Sequence, residues 1–295
     1  MTATITVGSS PWAVAVDAAS HTAYVTNLID GTVSVIDTRT NTVTATITVG
    51  AYPRPRAVAV DAASHTAYVA NSNVGTVSVI DTRTNTVTAT ITVGAWPCGV
   101  VVDEASHTAY VTNLDDGTVS VIDTRTNTVT KTITVGGFSD AVAVDAASHT
   151  AYLTSHSVSG KVATVSVIDT RTNTVTATIT VGGAYGVAVD AASHTAYVTN
   201  YKDGTVSVID TRTNTVTATI TVGGAYGVAV DAASHTAYVI NQGGGTISVI
   251  DTRTNTVTAT ITVGNYPVGV AVDAATGTVY VTNGNDNTVS VISAR

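Results

Sequence analysis

Cys98, Asp140 and His156 supply a thiol, a carboxylate and an imidazole, from which proteins build an activated nucleophile with its oriented base. A second chemistry needs no thiol: His156 would act as a general acid or base beside Asp140 or Tyr185, as in a lyase. A third interpretation makes Cys98 simply a small residue at a crowded position. Each possibility depends on a fold that brings these distant residues together.

The elements that would position these residues come from an internal repeat. The phrase VAVDAASHTAYVTN and its variants occur seven times, and successive copies lie 44, 42, 42, 45, 41 and 42 residues apart. Seven copies of this length indicate propeller blades or a solenoid. The first Asp of each copy gives the register: Asp17, Asp61, Asp103, Asp145, Asp190, Asp231 and Asp273.

Each copy divides into four strand-like runs, such as AVAVD, TAYVTN, TVSVIDT and TVTATITVG. The last run alternates Thr with Val, Ala or Ile, which is the period-two pattern of a β-strand. The sequences DGT, NTV and VGG supply turn residues between the runs. We therefore predict an all-β fold built from four-stranded antiparallel units.

The seventh copy has three of the four runs and reaches Ile292, while Thr2–Gly8 resembles a fourth run without its first three. Pairing of this N-terminal segment, about residues 2–8, with the strand around Val289 would complete the last unit and close a ring. A linear solenoid would instead need polar capping repeats, whereas ring closure protects the sheet edges. We predict one domain, a seven-bladed β-propeller over residues 1–295.

The motif AYVTN, at 23–27 and 109–113, is followed by GTVSVIDT and resembles the YVTN-repeat β-propeller family. Such proteins are similar to bacterial and archaeal surface-layer propellers and, more distantly, to streptogramin-inactivating lyases. The resemblance covers essentially the whole chain and implies a propeller. For function it implies either a cell-surface adhesion or layer module or a lyase, because propellers serve as binding scaffolds and as enzymes.

Connection lengths vary on only one predicted face. The count from the first Asp to the YVTN Asn or its equivalent is 10 in every copy, whereas the step from that Asn to the next Thr is 5 except in blade four, where Ser155 to Thr164 is 9. The second-to-third turns and the crossings between blades form this variable face. The opposite, constant face repeats DAASHT and DTRTNT. Diversity on one face predicts a binding site, although drift in surface loops would give the same pattern.

The sharpest differences occur five residues before each first Asp, where the chain enters the innermost strand. Seven inner strands around an axis would place these side chains in a ring at the channel mouth, which we call the mouth ring. Its members are Trp12, Arg56, Cys98, Asp140, Tyr185, Tyr226 and Val268. The next residue is always Ala or Gly.

Further candidate ligand contacts lie in the surrounding loops. A second, wider ring follows the YVTN Asn: Leu28, Ser72, Leu114, His156, Tyr201, Gln242 and Gly284. Nearby loops add Arg54, Trp96, Phe138, Lys202 and Tyr266. In YPRPR, proline on either side of Arg54 stiffens the loop, so Arg54 and Arg56 are candidates to bind a carboxylate or phosphate; solvated loop arginines are the alternative.

We predict no metal and no cofactor. One histidine per blade in SHT, six in all, would lie on a ring too wide to meet at the ~2 Å bond lengths of zinc, so structural turn roles are expected for His21, His65, His107, His149, His194 and His235. The acids of the variable-face loops resemble ordinary turn residues more than a Ca²⁺ site: Asp30, Asp115, Asp116, Asp203 and Asp286.

Composition limits the partners. The net charge is −8, and half of the 12 basic residues lie in one repeated turn, so nucleic acid is not an expected partner. Threonine interrupts every apolar run, so no membrane span is expected. The first residues lack the features of a signal peptide. The compartment therefore stays open between cytoplasmic and exported, and a monomer is expected.

These observations favour a rigid propeller scaffold that binds a small-molecule or protein ligand on the variable face, around the channel mouth. The first alternative is an enzyme, a lyase, cyclase or hydrolase, with its site on the same face. The second is a cell-surface adhesion or layer module. A complete catalytic set requires side-chain geometry that spacing does not supply.

Overall fold

The computed structural model describes residues 1–156 and 163–293. In this part of the chain the structure consists of seven four-stranded antiparallel sheets, and a 3₁₀ turn at Gln242–Gly244. The sheets form a ring because each innermost strand packs against the innermost strands of both neighbouring blades. The protein is a seven-bladed β-propeller, as the repeat predicts.

The strands of each blade follow one another from the channel outward. The innermost strands are β2 (Pro11–Asp17), β6 (Pro55–Asp61), β10 (Pro97–Asp103), β14 (Phe138–Asp145), β18 (Ala184–Asp190), β22 (Ala225–Asp231) and β26 (Pro267–Asp273). The second strands are β3 (Thr22–Asn27), β7 (Thr66–Asn71), β11 (Thr108–Asn113), β15 (Thr150–His156), β19 (Thr195–Asn200), β23 (Thr236–Asn241) and β27 (Thr278–Asn283).

The two outer positions complete each sheet. The third strands are β4 (Thr32–Asp37), β8 (Thr76–Asp81), β12 (Thr118–Asp123), β16 (Ala163–Asp169), β20 (Thr205–Asp210), β24 (Thr246–Asp251) and β28 (Thr288–Ser293). The outermost strands are β5 (Thr42–Thr48), β9 (Thr86–Thr92), β13 (Thr128–Thr134), β17 (Thr174–Val181), β21 (Thr215–Thr221), β25 (Thr256–Thr262) and, in blade seven, β1 (Ala3–Thr6).

Ring closure by the N-terminal strand is confirmed. Strand β1 pairs antiparallel with β28, so that Ala3 lies opposite Val291 and Ile5 opposite Val289. The inner strands β26 and β2 also pack together, which joins blade seven to blade one. The two ends of the chain are thus held in one sheet.

The hydrophobic core is divided among the blade interfaces. Each of the seven core clusters draws its residues from two adjacent blades, as where Val35 and Ile47 of blade one meet Val69 and Ile80 of blade two. Small and branched side chains allow close packing of twisted sheets. Buried tyrosines add polar links between blades; the Tyr110 hydroxyl donates to Asn173 Oδ1 at 3.1 Å. Adjacent blades are consequently joined by apolar and by polar contacts.

The constant face consists of turns with local hydrogen bonds, as predicted. Asp17 Oδ1 accepts from the backbone N–H groups of Ala19 and Ser20, and His21 adopts a left-handed conformation with φ of 54°. Asp37 accepts in the same way from the backbone N–H of Arg39. These residues stabilise the turns.

In the described residues, none of the helical segments has the length and apolarity that a membrane crossing requires.

Candidate functional site

A β-bulge at the start of every inner strand aims the mouth ring at the channel. In blade three, Pro97 pairs with Asn113 and Gly99 with Thr112, which leaves Cys98 as the extra residue. In blade five, Tyr185 and Gly186 together lie opposite Thr199. The same register shift recurs in the other five blades. Bulges re-aim side chains and are frequent beside functional sites.

All seven members of the mouth ring line one cavity of about 270 Å³, together with the small residues that follow them. The structure therefore brings together side chains that the sequence spreads over most of the chain. The ring is chemically uneven. Proceeding around it, Tyr185, Tyr226, Val268 and Trp12 form an apolar arc, followed by the cation Arg56, the small Cys98 and the buried carboxylate of Asp140.

The apolar arc is a continuous set of aromatic contacts. The rings of Tyr185 and Tyr226 lie 4.1 Å apart between centroids, and their hydroxyls share a hydrogen bond. Trp12 meets the Tyr226 ring edge-on at 6.3 Å. Burial raises the pKa of Tyr185 to about 12 and raises that of Tyr226 further. Both phenols therefore remain protonated at neutral pH, and they present flat apolar surface with a polar edge.

Arg56 is the cation of the mouth ring. Its guanidinium carbon lies 4.8 Å from the centroid of the Trp12 ring, a cation–π arrangement. The side chain is half-buried. Among the described residues no carboxylate forms an ion pair with it. The five N–H donors of the guanidinium lie along its edge, and Arg56 lines the cavity.

Asp140, which lines the cavity, forms a close pair with His156, which lies outside the lining. Nδ1 of His156 lies 2.7 Å from Oδ2 of Asp140, whose residue is 8% exposed. The hydrogen bond to Asp140 raises the pKa of His156, while burial raises the pKa of Asp140. The His156 ring also packs on Phe138 at a centroid distance of 5.4 Å. Two of the predicted catalytic residues therefore meet in a geometry suited to proton transfer.

Cys98 does not share in that geometry. Its sulfur lies 3.1 Å from the backbone oxygen of Ser139 and 3.2 Å from that of Asp140, which places the thiol as a donor to carbonyls. Burial and the neighbouring Asp140 carboxylate raise the pKa of Cys98 to about 12. An activated cysteine needs a lowered pKa, so the structure does not support the nucleophile that residue types suggested.

The other predicted ligand contacts lie around the cavity and not in its lining. Tyr201 is 44% exposed, and its ring lies 5.8 Å from that of Tyr226. Lys202 and Arg54 are exposed, and Trp96 and Tyr266 each adopt a left-handed backbone conformation before a proline. Arg54 and Arg56 therefore do not line the cavity together as a paired anion clamp. The enlarged loop of blade four falls largely on residues 157–162, outside the described residues.

The second predicted ring is mostly structural. Leu28, Ser72 and Gln242 are buried, and Gly284 lies against the Tyr266 ring. Leu114 joins the crossing between blades through a backbone hydrogen bond to the Trp96 carbonyl. Three members of this ring lie against members of the mouth ring: His156 against Asp140, Tyr201 against Tyr226, and Gly284 against Val268.

Sequence reasoning missed the threonines that hold the mouth ring in place. The Thr of YVTN lies opposite the bulge, where its hydroxyl accepts from the backbone N–H of the second bulge residue and donates to the carbonyl of the next blade's mouth residue. Thr112, Thr154, Thr199 and Thr282 bind in this way to the carbonyls of Asp140, Tyr185, Tyr226 and Trp12, respectively. We call these four the latch threonines. The repeated Thr of the motif was the sequence feature that could have indicated them, because a buried threonine hydroxyl needs a hydrogen-bond partner.

The invariably small residue after each mouth residue has a steric cause. A Cβ on Gly186 would lie 2.8 Å from the Tyr226 carbonyl oxygen, and one on Gly99 would lie 2.7 Å from that of Asp140. At these glycines the neighbouring inner strand approaches more closely than a Cβ would permit. In blades one, two and four the equivalent residue is alanine, so this closest approach is limited to the blades that carry glycine.

The acidic loop residues join blades together. The carboxylates of Asp30, Asp116 and Asp286 accept from backbone N–H groups of the preceding crossing at 2.6 to 2.7 Å. Among the described residues, no group of three or more His, Cys, Asp or Glu side chains is arranged to hold a metal ion.

The comparison with solved structures finds a chain of Kuenenia stuttgartiensis hydrazine synthase, with a TM-score of 0.89 and 21% sequence identity over 97% of this chain and 96% of that chain. The match shows the fold alone. No family model matches the chain, so membership of the YVTN-repeat family is not confirmed. No curated protein matches it either.

Proposed function

We propose that the protein is a rigid scaffold that binds a small molecule in the cavity at the channel mouth. The observation that carries the proposal is the mouth ring itself: seven bulge residues, almost all different in an otherwise repetitive chain, converge on one cavity. Turns on the constant face have stayed nearly identical. Diversification concentrated on the face that contains this cavity is typical of a ligand site on a conserved support.

The cavity approaches the size of a small-ligand site and has the composition of one. Its volume of about 270 Å³ lies just below the usual range of roughly 300–1,000 Å³ for ligand pockets. An apolar arc with a few polar groups is the common composition of such pockets. The latch threonines fix the backbone beneath Tyr185 and Tyr226. Preorganisation of this kind lowers the entropic cost of binding.

A second candidate function is an acid–base enzyme at the same site. The Asp140–His156 pair favours it, because a raised pKa keeps His156 protonated to higher pH, as a general acid requires. The pair does not by itself identify a reaction. Membership of the YVTN-repeat family and a cell-surface adhesion or layer role also stay predictions.

A thermal-shift screen tests the binding proposal. The purified protein is heated with small carboxylates, phosphates, amines, sugars, divalent metal ions and antibiotics. A ligand at a hundred times its dissociation constant stabilises the folded state by about 2.7 kcal/mol, which is readily measured. The mouth variant replaces Arg56, Cys98, Asp140 and His156 with Ala. A matched control replaces Glu104, His107 and Arg125 with Ala, removing the same charge types from the constant face.

We expect a compound that stabilises the protein and the control variant against heat but does not stabilise the mouth variant. Circular dichroism establishes that both variants fold, and the single variant Arg56→Ala serves if the fourfold variant does not. A stabilising compound that the mouth variant still binds would place the site elsewhere. Failure of every compound would overturn a small-molecule role and favour a protein partner.

A further inference from the structure

We infer that the occupant of the mouth cavity is a monocarboxylate with a flat, apolar body, anchored by the Arg56 guanidinium and packed against the apolar arc. This inference rests on the proposed function and specifies the class of ligand. Four features of the site carry it: an unpaired cation, a carboxylate that is already compensated, an aromatic wall and a limited volume.

The unpaired cation is Arg56. An arginine side chain stays charged at any physiological pH, and partial burial makes an unsatisfied charge costly. Stacking on Trp12 compensates one face of the guanidinium but uses none of its N–H donors. A carboxylate matches the guanidinium edge with two parallel hydrogen bonds. An anionic group of the ligand is therefore the partner that this residue lacks in the described part of the chain.

The compensated carboxylate is Asp140. Its Oδ2 is already bonded to His156 Nδ1, and the residue is buried, so it offers little to a cationic ligand. Burial raises the pKa of the Asp140 carboxyl and Arg56 offsets part of that rise, so the negative charge of Asp140 acts on Arg56. A dianion such as a phosphate monoester would meet this negative charge with one arginine to offset it. These charges favour a single negative charge on the ligand.

The aromatic wall determines the body of the ligand. Tyr185, Tyr226 and Trp12 line the cavity as mutually contacting aromatic side chains, and Val268 continues the apolar surface. A flat ring can stack on or meet these rings edge-on. The cavity of about 270 Å³ accommodates a single ring with a short substituent. A benzoate-sized molecule satisfies the charge, shape and volume together.

Isothermal titration calorimetry with matched compounds tests this class. Benzoate is compared with benzamide, its neutral counterpart; with cyclohexanecarboxylate, which lacks the aromatic ring; with benzylamine, a cation; and with phenyl phosphate, a dianion. Benzoate is expected to bind at least 10-fold more tightly than benzamide, since it alone of the two forms the charged pair with Arg56. Cyclohexanecarboxylate is expected to bind more weakly than benzoate.

The Arg56→Ala variant is expected to lose the preference for benzoate over benzamide, and Arg56→Lys to retain part of it, because lysine keeps the charge but not the fork. Arg83→Ala, in the same blade but on the constant face, is the control and should leave both affinities unchanged. Benzoate affinity that survives Arg56→Ala would overturn the inference, and so would tighter binding of benzylamine or phenyl phosphate. Absence of binding by all five compounds would also overturn it, while the broader screen separately decides whether the cavity binds small molecules.

Discussion

The Thr199 hydroxyl donates a hydrogen bond to the backbone carbonyl of Tyr226 at 2.6 Å, across the boundary between blades five and six. The same oxygen accepts from the backbone N–H of Gly186 at 2.8 Å. One side chain therefore satisfies one backbone group from the bulge of blade five and one from the bulge of blade six. Because Tyr226 belongs to the mouth ring, this bond links the inter-blade geometry directly to the cavity.

Replacing Thr199 with Val should destabilise the protein by about 1–3 kcal/mol, because it leaves a buried donor and a buried acceptor unsatisfied. The measurement is urea unfolding followed by circular dichroism. Thr219→Val in the exposed outer strand of the same blade is the control and should change the unfolding free energy by less than about 0.5 kcal/mol. Equal effects of the two substitutions would show that the latch contributes nothing.

Replacing Gly186 with Ala should also destabilise, by about 1–3 kcal/mol, through overpacking. The new Cβ would lie 2.8 Å from the Tyr226 carbonyl oxygen, and Thr199 prevents that carbonyl from moving away. Gly243→Ala is the matched control, since a Cβ there meets nothing within 4 Å. If Gly186→Ala were as stable as the control, the inner strands would have to be freer to separate than the hydrogen bond implies.

The Cys98 thiol should react slowly. With a pKa of about 12, its thiolate fraction at pH 8 falls far below that of a free cysteine, and the higher nucleophilicity of a basic thiolate restores only part of the loss. Alkylation by iodoacetamide, followed by mass spectrometry, should be about 50- to 100-fold slower than for a small free thiol of pKa ~8.5. His156→Gln should leave the rate unchanged. Rapid alkylation that this substitution slows would instead restore the nucleophile hypothesis.

The imidazole of His156 should titrate above its ordinary pKa, and Asp140→Asn should lower that pKa, because the hydrogen bond to the carboxylate favours the protonated ring. A group whose pKa rises on folding stabilises the folded state below its unfolded pKa of about 6.5, and this stabilisation is lost as the pH rises through the folded value.

The measurements are an NMR titration and unfolding free energies of the protein and of His156→Gln between pH 6 and 9. The stability difference should be largest at the acidic end. His107→Gln on the constant face controls for the substitution itself. A stability difference that grows with pH would contradict the assigned pairing.

The repeat was sufficient to predict blade number, strand order, ring closure and the seven mouth residues, because each follows from a period and a count. Side-chain detail was less accessible. Arg54 and Arg56 look equivalent in YPRPR, yet a bulge at Arg56 sends that side chain to the cavity while Arg54 stays exposed. Cys98 and His156 lie on adjacent blades, but the sulfur points to carbonyl oxygens that sequence does not place. Ala70 and Ile240 occupy the latch position in two blades, so these blades lack the threonine hydroxyl that forms the hydrogen bond. The motif alone does not show which carbonyl that hydroxyl binds.

The contribution of the closing strand β1 to stability can be tested against an equivalent residue in another blade. Ile5 in β1 occupies the position that Ile47 occupies in β5, and both are 5% exposed within clusters that join two blades. If β1 is an ordinary fourth strand, Ile5→Ala and Ile47→Ala should each lower the unfolding free energy by about 2–5 kcal/mol, the usual cost of such a cavity. Val43→Ala, at an exposed position of β5, is the control. The test fails if Ile47→Ala lowers the unfolding free energy as expected while Ile5→Ala lowers it no more than Val43→Ala does. That result would mean that the N-terminal strand does not hold blade seven closed.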